Sequence, residues 1–301
     1  MKLLNKPLTH RVRLYQSTFI AIMFAGAIIQ SKADIYTIGA RNTSMQIDLG
    51  GGVTQWTING VNQLNLQSFY YSVGSDPAAS IYTIGMASAP TIWTNQLKTY
   101  VTLDTTYADS TISVDTLFTL TSFPVGSGTA KLGQTLTINN LSATAQVFHF
   151  YQYSDFNLGG VSGGQNEQFT SKGSGKYYQV VQTGSSGIIL TGAVTGASSA
   201  QLEVQAGLWD GNKFGLGSGN PVTLNNTLTA GPGNVVYAYE WDATLAAAEG
   251  SIQISEIQTV VPEPSSVALV ASGMLALALL YRRRRADSVI AVLVRVKFFL
   301  P

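Results

Sequence analysis

The stretches ISVDTLF (112–118) and VVYAYEW (235–241) place a β-branched or aromatic residue at every second position. This period-two pattern predicts β-strands that bury one face. Similar segments recur along the middle of the chain, at 53–58, 101–103, 136–138, 147–151 and 251–257. We therefore predict an all-β domain over residues 34–261, with about fourteen to sixteen short strands in an antiparallel β-sandwich that is either jelly-roll-like or a double sandwich.

Turn signals separate these segments. Asn59-Gly60, Asp210-Gly211-Asn212 and Gly231-Pro232-Gly233 are typical of tight turns between strands. Helical periodicity is weak in this part of the sequence, and residues 243–248 predict at most one helical turn.

The composition excludes several classes of protein. The chain has 301 residues, of which 45% are hydrophobic and 11% charged, so it can bury a large core and is not a disordered chain. It has no Cys, which excludes disulfides, thiolate metal sites and a Cys nucleophile. His10 and His149 are its only two histidines, and we expect neither a metal site nor a cofactor.

Charge is distributed unevenly along the chain. Residues 1–33 hold five basic residues and no acid, and residues 262–301 hold six basic residues and two acids. The middle, residues 34–261, holds six Lys or Arg and fourteen Asp or Glu, a net charge of −8. An acidic domain with few cations argues against nucleic acid as a partner, and the basic ends are typical of segments that enter membranes.

The N-terminus has the three parts of a secretory signal peptide. A basic segment precedes the apolar run STFIAIMFAGAII (17–29), and Ser31 and Ala33 are small residues at the two positions that a signal peptidase reads. As a helix the thirteen-residue run would span about 20 Å, less than the bilayer core of about 30 Å. We predict a signal helix that is cleaved after Ala33.

The C-terminus combines a proline motif, an apolar run and a basic cluster. Pro262-Glu263-Pro264 predicts an extended, accessible segment. The run 267–281 predicts a short membrane helix, and the arginines after it predict a cytoplasmic end. The apolar helix residues that we single out are Val267, Leu269, Leu275, Leu277, Leu279 and Leu280, and the stop-transfer residues are Arg282, Arg283, Arg284 and Arg285.

Residues 261–285 resemble the PEP-CTERM sorting signal of Gram-negative bacteria. The resemblance implies that Pro262-Glu263-Pro264, the helix and the arginine cluster are recognised together by exosortase, a membrane protease-transferase, which cleaves near the motif. It also implies a link to exopolysaccharide and biofilm. Family members usually end soon after the arginines, whereas this chain continues through the atypical cytoplasmic tail 286–301.

Two acidic residues of the domain are candidates for carbohydrate chemistry. Asp155 follows the aromatic stretch YQYSDF (151–156), and a loop rich in Gly and Ser leads from it to Glu167. Two carboxyl groups that flank a glycosidic bond can hydrolyse it, and carboxylates can also bind calcium. Alternatively, Asp155 caps a turn and the loop is a plain connection.

The tryptophans suggest a second site. Trp209 precedes the turn formed by Asp210 and Asn212, where an aromatic face beside polar groups could stack on a sugar ring. Trp241 with Asp242 is a second candidate of the same kind. The alternative is that the tryptophans fill the core of the sandwich.

The sequence gives little indication of a catalytic motif. His149 lies in a strand pattern, where a single His is usually hydrogen-bonded to its neighbours, and no G-x-S-x-G motif is present. We therefore predict a non-enzymatic, exported surface or matrix protein with a structural or interaction role. The alternatives are a carbohydrate-binding module and, less favoured, a polysaccharide hydrolase or lyase. Its expected partners are an exosortase-type protease, the inner membrane and an exopolysaccharide, and its precursor is membrane-anchored before it reaches the cell surface.

We expect the exported protein to begin at or near Asp34, because Ser31 and Ala33 mark the cleavage position. N-terminal sequencing of the exported protein checks this. Recovery of residues 1–33 on that protein would contradict the predicted signal peptide.

Overall fold

The computed structural model describes residues 34–171, 178–196, 200–248, 250–263, 274–275 and 281. Within these residues the chain forms two antiparallel sheets of nine strands each. The larger hydrophobic cluster contains side chains from both sheets. The sheets therefore pack face to face as a β-sandwich, and the predicted all-β class is confirmed.

The strands slightly exceed the predicted number. In chain order they are β1 (Ile35–Ala40), β2 (Thr43–Asp48), β3 (Gly52–Ile58), β4 (Val61–Asn62), β5 (Leu64–Val73), β6 (Ala79–Ser80), β7 (Thr91–Thr94), β8 (Tyr100–Ala108), β9 (Ile112–Ser122), β10 (Ala130–Asn140), β11 (Gln146–Phe156), β12 (Gln165–Ser171), β13 (Tyr178–Thr183), β14 (Ile188–Gly196), β15 (Gln201–Leu208), β16 (Thr229–Gly233), β17 (Val235–Leu245) and β18 (Ser251–Pro262). Three short 3₁₀ helices lie between them, at Ile81–Thr83, Leu158–Gly160 and Lys213–Gly215.

Each sheet brings together strands that are distant in sequence. The first sheet has the order β1-β2-β3-β5-β11-β17-β15, with β4 paired to β3 and β6 paired to β5. The second has the order β16-β12-β13-β14-β18-β10-β9-β8-β7. Residues 243–248, for which at most one helical turn was predicted, begin as strand, because Ala243–Leu245 are paired with β11 and complete β17.

Alternating side chains build the core between the sheets. Ile112, Val114 and Phe118 of β9 point into it, as the period-two pattern predicts. In the first sheet, Phe150 of β11 lies 6.1 Å from Phe69 and 6.2 Å from Trp241, measured between ring centroids. These aromatic contacts join β5, β11 and β17, three neighbouring strands of the first sheet, on the face that points into the core.

A buried polar network also crosses the space between the sheets. The Gln134 amide donates to Gln67 Oε1 at 2.5 Å and to Gln258 Oε1 at 3.1 Å. The Gln152 amide donates to Glu256 Oε2, which also accepts from Gln258 at 3.0 Å. Gln67 and Gln152 belong to the first sheet and the other residues to the second, so hydrogen bonds as well as apolar contacts fix how the sheets face each other.

The predicted signal helix and most of the predicted membrane helix lie outside the described residues. Met274, Leu275 and Tyr281, which fall within the predicted membrane helix, are helical and exposed. Within the described part of the chain, no helix is both long enough and apolar enough to cross a membrane.

The unfolding free energy should decrease as the pH rises through about 7, in part because of Glu256. Burial raises the pKa of this carboxyl to about 7, whereas its hydrogen bonds act in the opposite direction. Its favourable contribution is complete below the unfolded pKa of about 4.5 and is lost as the folded protein releases the proton. The loss between these two values amounts to about 3 kcal/mol.

Glu256→Gln should therefore reduce the difference in unfolding free energy between about pH 5 and about pH 8. Urea denaturation at the two pH values measures that difference. Asp104→Asn, which removes an exposed carboxylate from β8, is the control. An unchanged pH dependence in Glu256→Gln would show that this carboxyl is not neutral in the folded protein near neutral pH.

Candidate functional site

A cluster of polar side chains lies on the outer face of the first sheet, which points away from the second sheet. His149 of β11 is directly opposite Asp242 of β17. Glu240 is two residues before Asp242 and is opposite Glu203 of β15. Because side chains alternate along a strand, these four residues share one face, while Phe150 and Trp241 point into the core. We call these four residues the His149 cluster.

Short contacts hold the His149 cluster together. His149 Nδ1 lies 2.5 Å from Asp242 Oδ1 and 3.6 Å from Glu240 Oε1. The His149 and Asp242 side chains are about one quarter exposed, at 24% and 25%, whereas Glu240 is 0% exposed. His149 and Asp242 are therefore accessible to solvent, and Glu240 lies buried beneath them.

Only one of the two oxygens of the buried Glu240 carboxyl accepts a hydrogen bond. Its Oε2 accepts a hydrogen bond from the backbone N–H of Leu224 at 2.7 Å, and its Oε1 has no hydrogen-bond partner. Burial raises the pKa of Glu240 to about 7, the Leu224 N–H opposes this, and the charges of Asp242 and Glu203 add to it. The Tyr151 hydroxyl is also nearby, but it donates its proton to Val222 O at 2.8 Å.

The segment 209–228, which connects β15 to β16, covers the part of this face formed by β5, β11 and β17. Leu216, Phe214 and Val222 pack on Tyr70, Tyr151 and Tyr153 of the first sheet. Gly207 of β15 permits this packing, because a Cβ at that position would lie 2.7 Å from the Phe214 ring. The His149 cluster lies where Leu224, near the end of this segment, reaches β17.

The predicted turn at Trp209, Asp210 and Asn212 is the start of the covering segment. Trp209 follows β15 directly, and its backbone N–H donates to Asn234 O at 2.8 Å. Asp210 Oδ1 accepts from the backbone N–H of Asn212 at 2.7 Å and closes the turn. The structure thus brings the three residues together, with the Trp209 side chain 53% exposed.

The other tryptophans divide between core and surface. Trp56 and Trp241 are buried in the core, as the alternative interpretation expected for the tryptophans in general. Trp93, on the edge strand β7 of the second sheet, is 55% exposed. Two of the four tryptophans are therefore available to a ligand.

The fold places Asp155 and Glu167, the predicted pair of carboxyl groups, on different sheets. Asp155 lies on β11 of the first sheet, is buried, and accepts a hydrogen bond from Asn65 at 2.8 Å. Glu167 lies on β12 of the second sheet and is buried on the side of Phe169, which contributes to the core. Burial raises the pKa of both carboxyls. Among the described residues no hydrogen bond joins the two carboxyls, and neither faces open solvent.

The His149 cluster was missed at the sequence level. Its only signal is that the triplets FHF (148–150) and EWD (240–242) each alternate polar and aromatic residues. Neither triplet indicates that the two strands are neighbours, and the exact register places His149 opposite Asp242.

The end of the sandwich leads directly into the proline motif. β18 extends through Pro262, one residue beyond the predicted end of the domain, and Pro262 is paired with Ile188 of β14. The Glu263 backbone N–H donates to Gly187 O at 2.7 Å. The first two residues of the motif are therefore held by the second sheet.

The family model of the PEP-CTERM protein-sorting motif matches residues 260–285. The chain carries a PEP-CTERM sorting motif. The match starts at Val260, so the PEP-CTERM motif and β18 overlap by three residues, 260–262. No curated protein matches the sequence. The β-sandwich itself is not covered by this family model.

The sandwich is similar to parts of solved structures, of which a glucoamylase has a TM-score of 0.50. A bacterial glucoamylase in complex with acarbose is 10% identical with a TM-score of 0.50, and the match covers 82% of this chain and 36% of the glucoamylase. A galactose mutarotase related enzyme from Lactobacillus acidophilus is 7% identical with a TM-score of 0.45, covering 77% of this chain and 99% of the enzyme. The chain thus spans about a third of the glucoamylase's length, and at this identity the likeness shows the fold alone.

Proposed function

We propose that this chain is an exported protein that an exosortase-type membrane protease processes, and that its β-sandwich then contacts extracellular polysaccharide at the cell surface or in the matrix. The observation that carries the proposal is the overlap of the PEP-CTERM motif with β18. Because the motif is continuous with the last strand, the cargo of the sorting signal is the folded sandwich.

The turn at Trp209 supports polysaccharide as the ligand. An exposed indole face stacks on the C–H face of a pyranose ring, and the Asp210 and Asn212 side chains offer hydrogen-bonding groups for hydroxyls beside it. The turn is open to solvent on the surface, which suits a long chain better than a small enclosed ligand. Asp155 and Glu167 are buried and are not part of this proposed site.

Trp209→Ala should weaken binding of the exported protein to matrix polysaccharide by about tenfold or more, because the stacking surface is removed. A glycan array followed by titration with the best ligand measures the change. Trp93→Ala is the matched control, since Trp93 is equally exposed but lies on the other sheet.

Equal affinities of the two tryptophan variants and the unchanged protein would contradict a sugar site at Trp209. Release of reducing ends from the polysaccharide would instead indicate a hydrolase, which is an alternative that the sequence left open.

Processing at the PEP-CTERM motif is tested separately. In a host that has exosortase, the surface form should lack the predicted membrane helix and the arginines 282–285, as measured by intact-mass spectrometry. The double variant Glu263→Ala/Pro264→Ala should leave a membrane-held, uncut precursor. This variant keeps Pro262, so the pairing of β18 with β14 is retained.

Ser265→Ala/Ser266→Ala is the control for sorting, because it changes the adjoining residues and keeps the motif. A surface form that retains residues 267–285 in such a host would show a plain membrane anchor rather than a sorting signal.

A further inference from the structure

The His149 cluster contains two carboxylates and an imidazole whose ligand atoms converge. His149, Glu240 and Asp242 each offer one ligand atom, and these three atoms lie within 4.8 Å of one another. All three residues lie on β11 and β17, which pair over ten residues, so the backbone positions of the cluster are fixed by a continuous ladder.

One buried oxygen of the cluster has no hydrogen bond. Glu240 Oε1 has no hydrogen bond, although the residue is fully buried and its other oxygen is bonded to Leu224. This free oxygen is the one directed at His149 Nδ1, at 3.6 Å. A buried acceptor without a hydrogen bond is destabilising, so the position favours a group that would satisfy it.

A second unpaired oxygen lies on the neighbouring strand. Glu203 is opposite Glu240, and its Oε2 is also buried without a hydrogen bond. Its Oε1 accepts from the Gln201 amide at 3.0 Å. Among the residues that the structure describes, the only ion pairs of these carboxylates are those with His149, and no Lys or Arg is paired with them. Within the described residues the three carboxyl groups of the cluster therefore face one imidazole and no other basic side chain.

We propose that the His149 cluster binds a divalent first-row transition metal cation, with Zn²⁺ as the best probe. His149 Nδ1, Glu240 Oε1 and Asp242 Oδ1 would be the ligands, and Glu203 lies opposite Glu240 on the next strand. An imidazole nitrogen favours such a cation over Ca²⁺ or Mg²⁺, which prefer oxygen ligands alone.

The distances are compatible with a cation after one side-chain adjustment. Ligands bound to zinc at about 2.0–2.2 Å in a tetrahedron lie about 3.3–3.6 Å apart, close to the 3.6 Å between His149 Nδ1 and Glu240 Oε1. The 2.5 Å contact between His149 and Asp242 has to widen by about 1 Å. Both side chains reach the surface, so they can open without moving the strands.

This inference is independent of the proposed function. Glu203 and Trp209 are six residues apart along β15 and its continuation, which corresponds to about 20 Å. A metal at the His149 cluster would join β11 to β17 and stabilise the folded protein by mass action.

Isothermal titration calorimetry of the exported protein with Zn²⁺ tests the site. We expect saturable binding at one site and a rise in melting temperature that a chelator reverses. His149→Gln and Asp242→Asn should each weaken binding at least about tenfold, because each removes one ligand, and both residues are partly exposed. Mg²⁺ should bind much more weakly than Zn²⁺.

Asp104→Asn is the matched control and should bind Zn²⁺ as the unchanged protein does, since it removes an exposed carboxylate from β8 of the second sheet. The proposal would be overturned if the protein showed no saturable Zn²⁺ binding, or if both ligand variants bound Zn²⁺ as tightly as the unchanged protein. Loss of polysaccharide binding in Trp209→Ala with Zn²⁺ binding retained would separate the two sites.

Discussion

The antiparallel pairing of β11 with β17 is the constraint on which the rest of the structure depends. In this register Phe150 and Trp241 meet in the core, and His149 and Asp242 meet on the opposite face. A slip of one residue would exchange the two faces of one strand and bring a charged residue into the core. The core aromatics and the polar cluster are therefore consequences of the same register, and neither can change without the other.

The sequence was sufficient for the fold class and insufficient for the site. Alternation such as that of ISVDTLF depends on local side-chain chemistry, which fixes the buried face of β9 without knowledge of its neighbours. The turn at Trp209 was likewise predictable, because Asp210 and Asn212 interact within three residues. The relation between His149 and Asp242 is different, since 92 residues separate them in the chain and only long-range pairing joins them.

Several carboxyl groups are buried in this domain without a Lys or Arg partner among the described residues. Asp155, Glu167, Glu240 and Glu256 are all buried in a domain that has few cations, and in the described residues none of them is paired with Lys or Arg. Side-chain amides donate hydrogen bonds to two of these carboxyls instead, from Gln152 to Glu256 and from Asn65 to Asp155. Burial raises the pKa of each of these carboxyls, so their burial ties the expected stability of the domain to pH.

The position of β18 has a consequence for the timing of assembly. This last strand lies between β14 and β10 in the interior of the second sheet, so the sheet is open until it is inserted. During export the strand emerges after every other element. Only residues 263–266 separate it from the predicted membrane helix at Val267, a reach of about 14 Å when fully extended. We expect a chain that stalls at this predicted helix to hold its closing strand just outside the bilayer, which would give the sandwich time to close before the molecule is released.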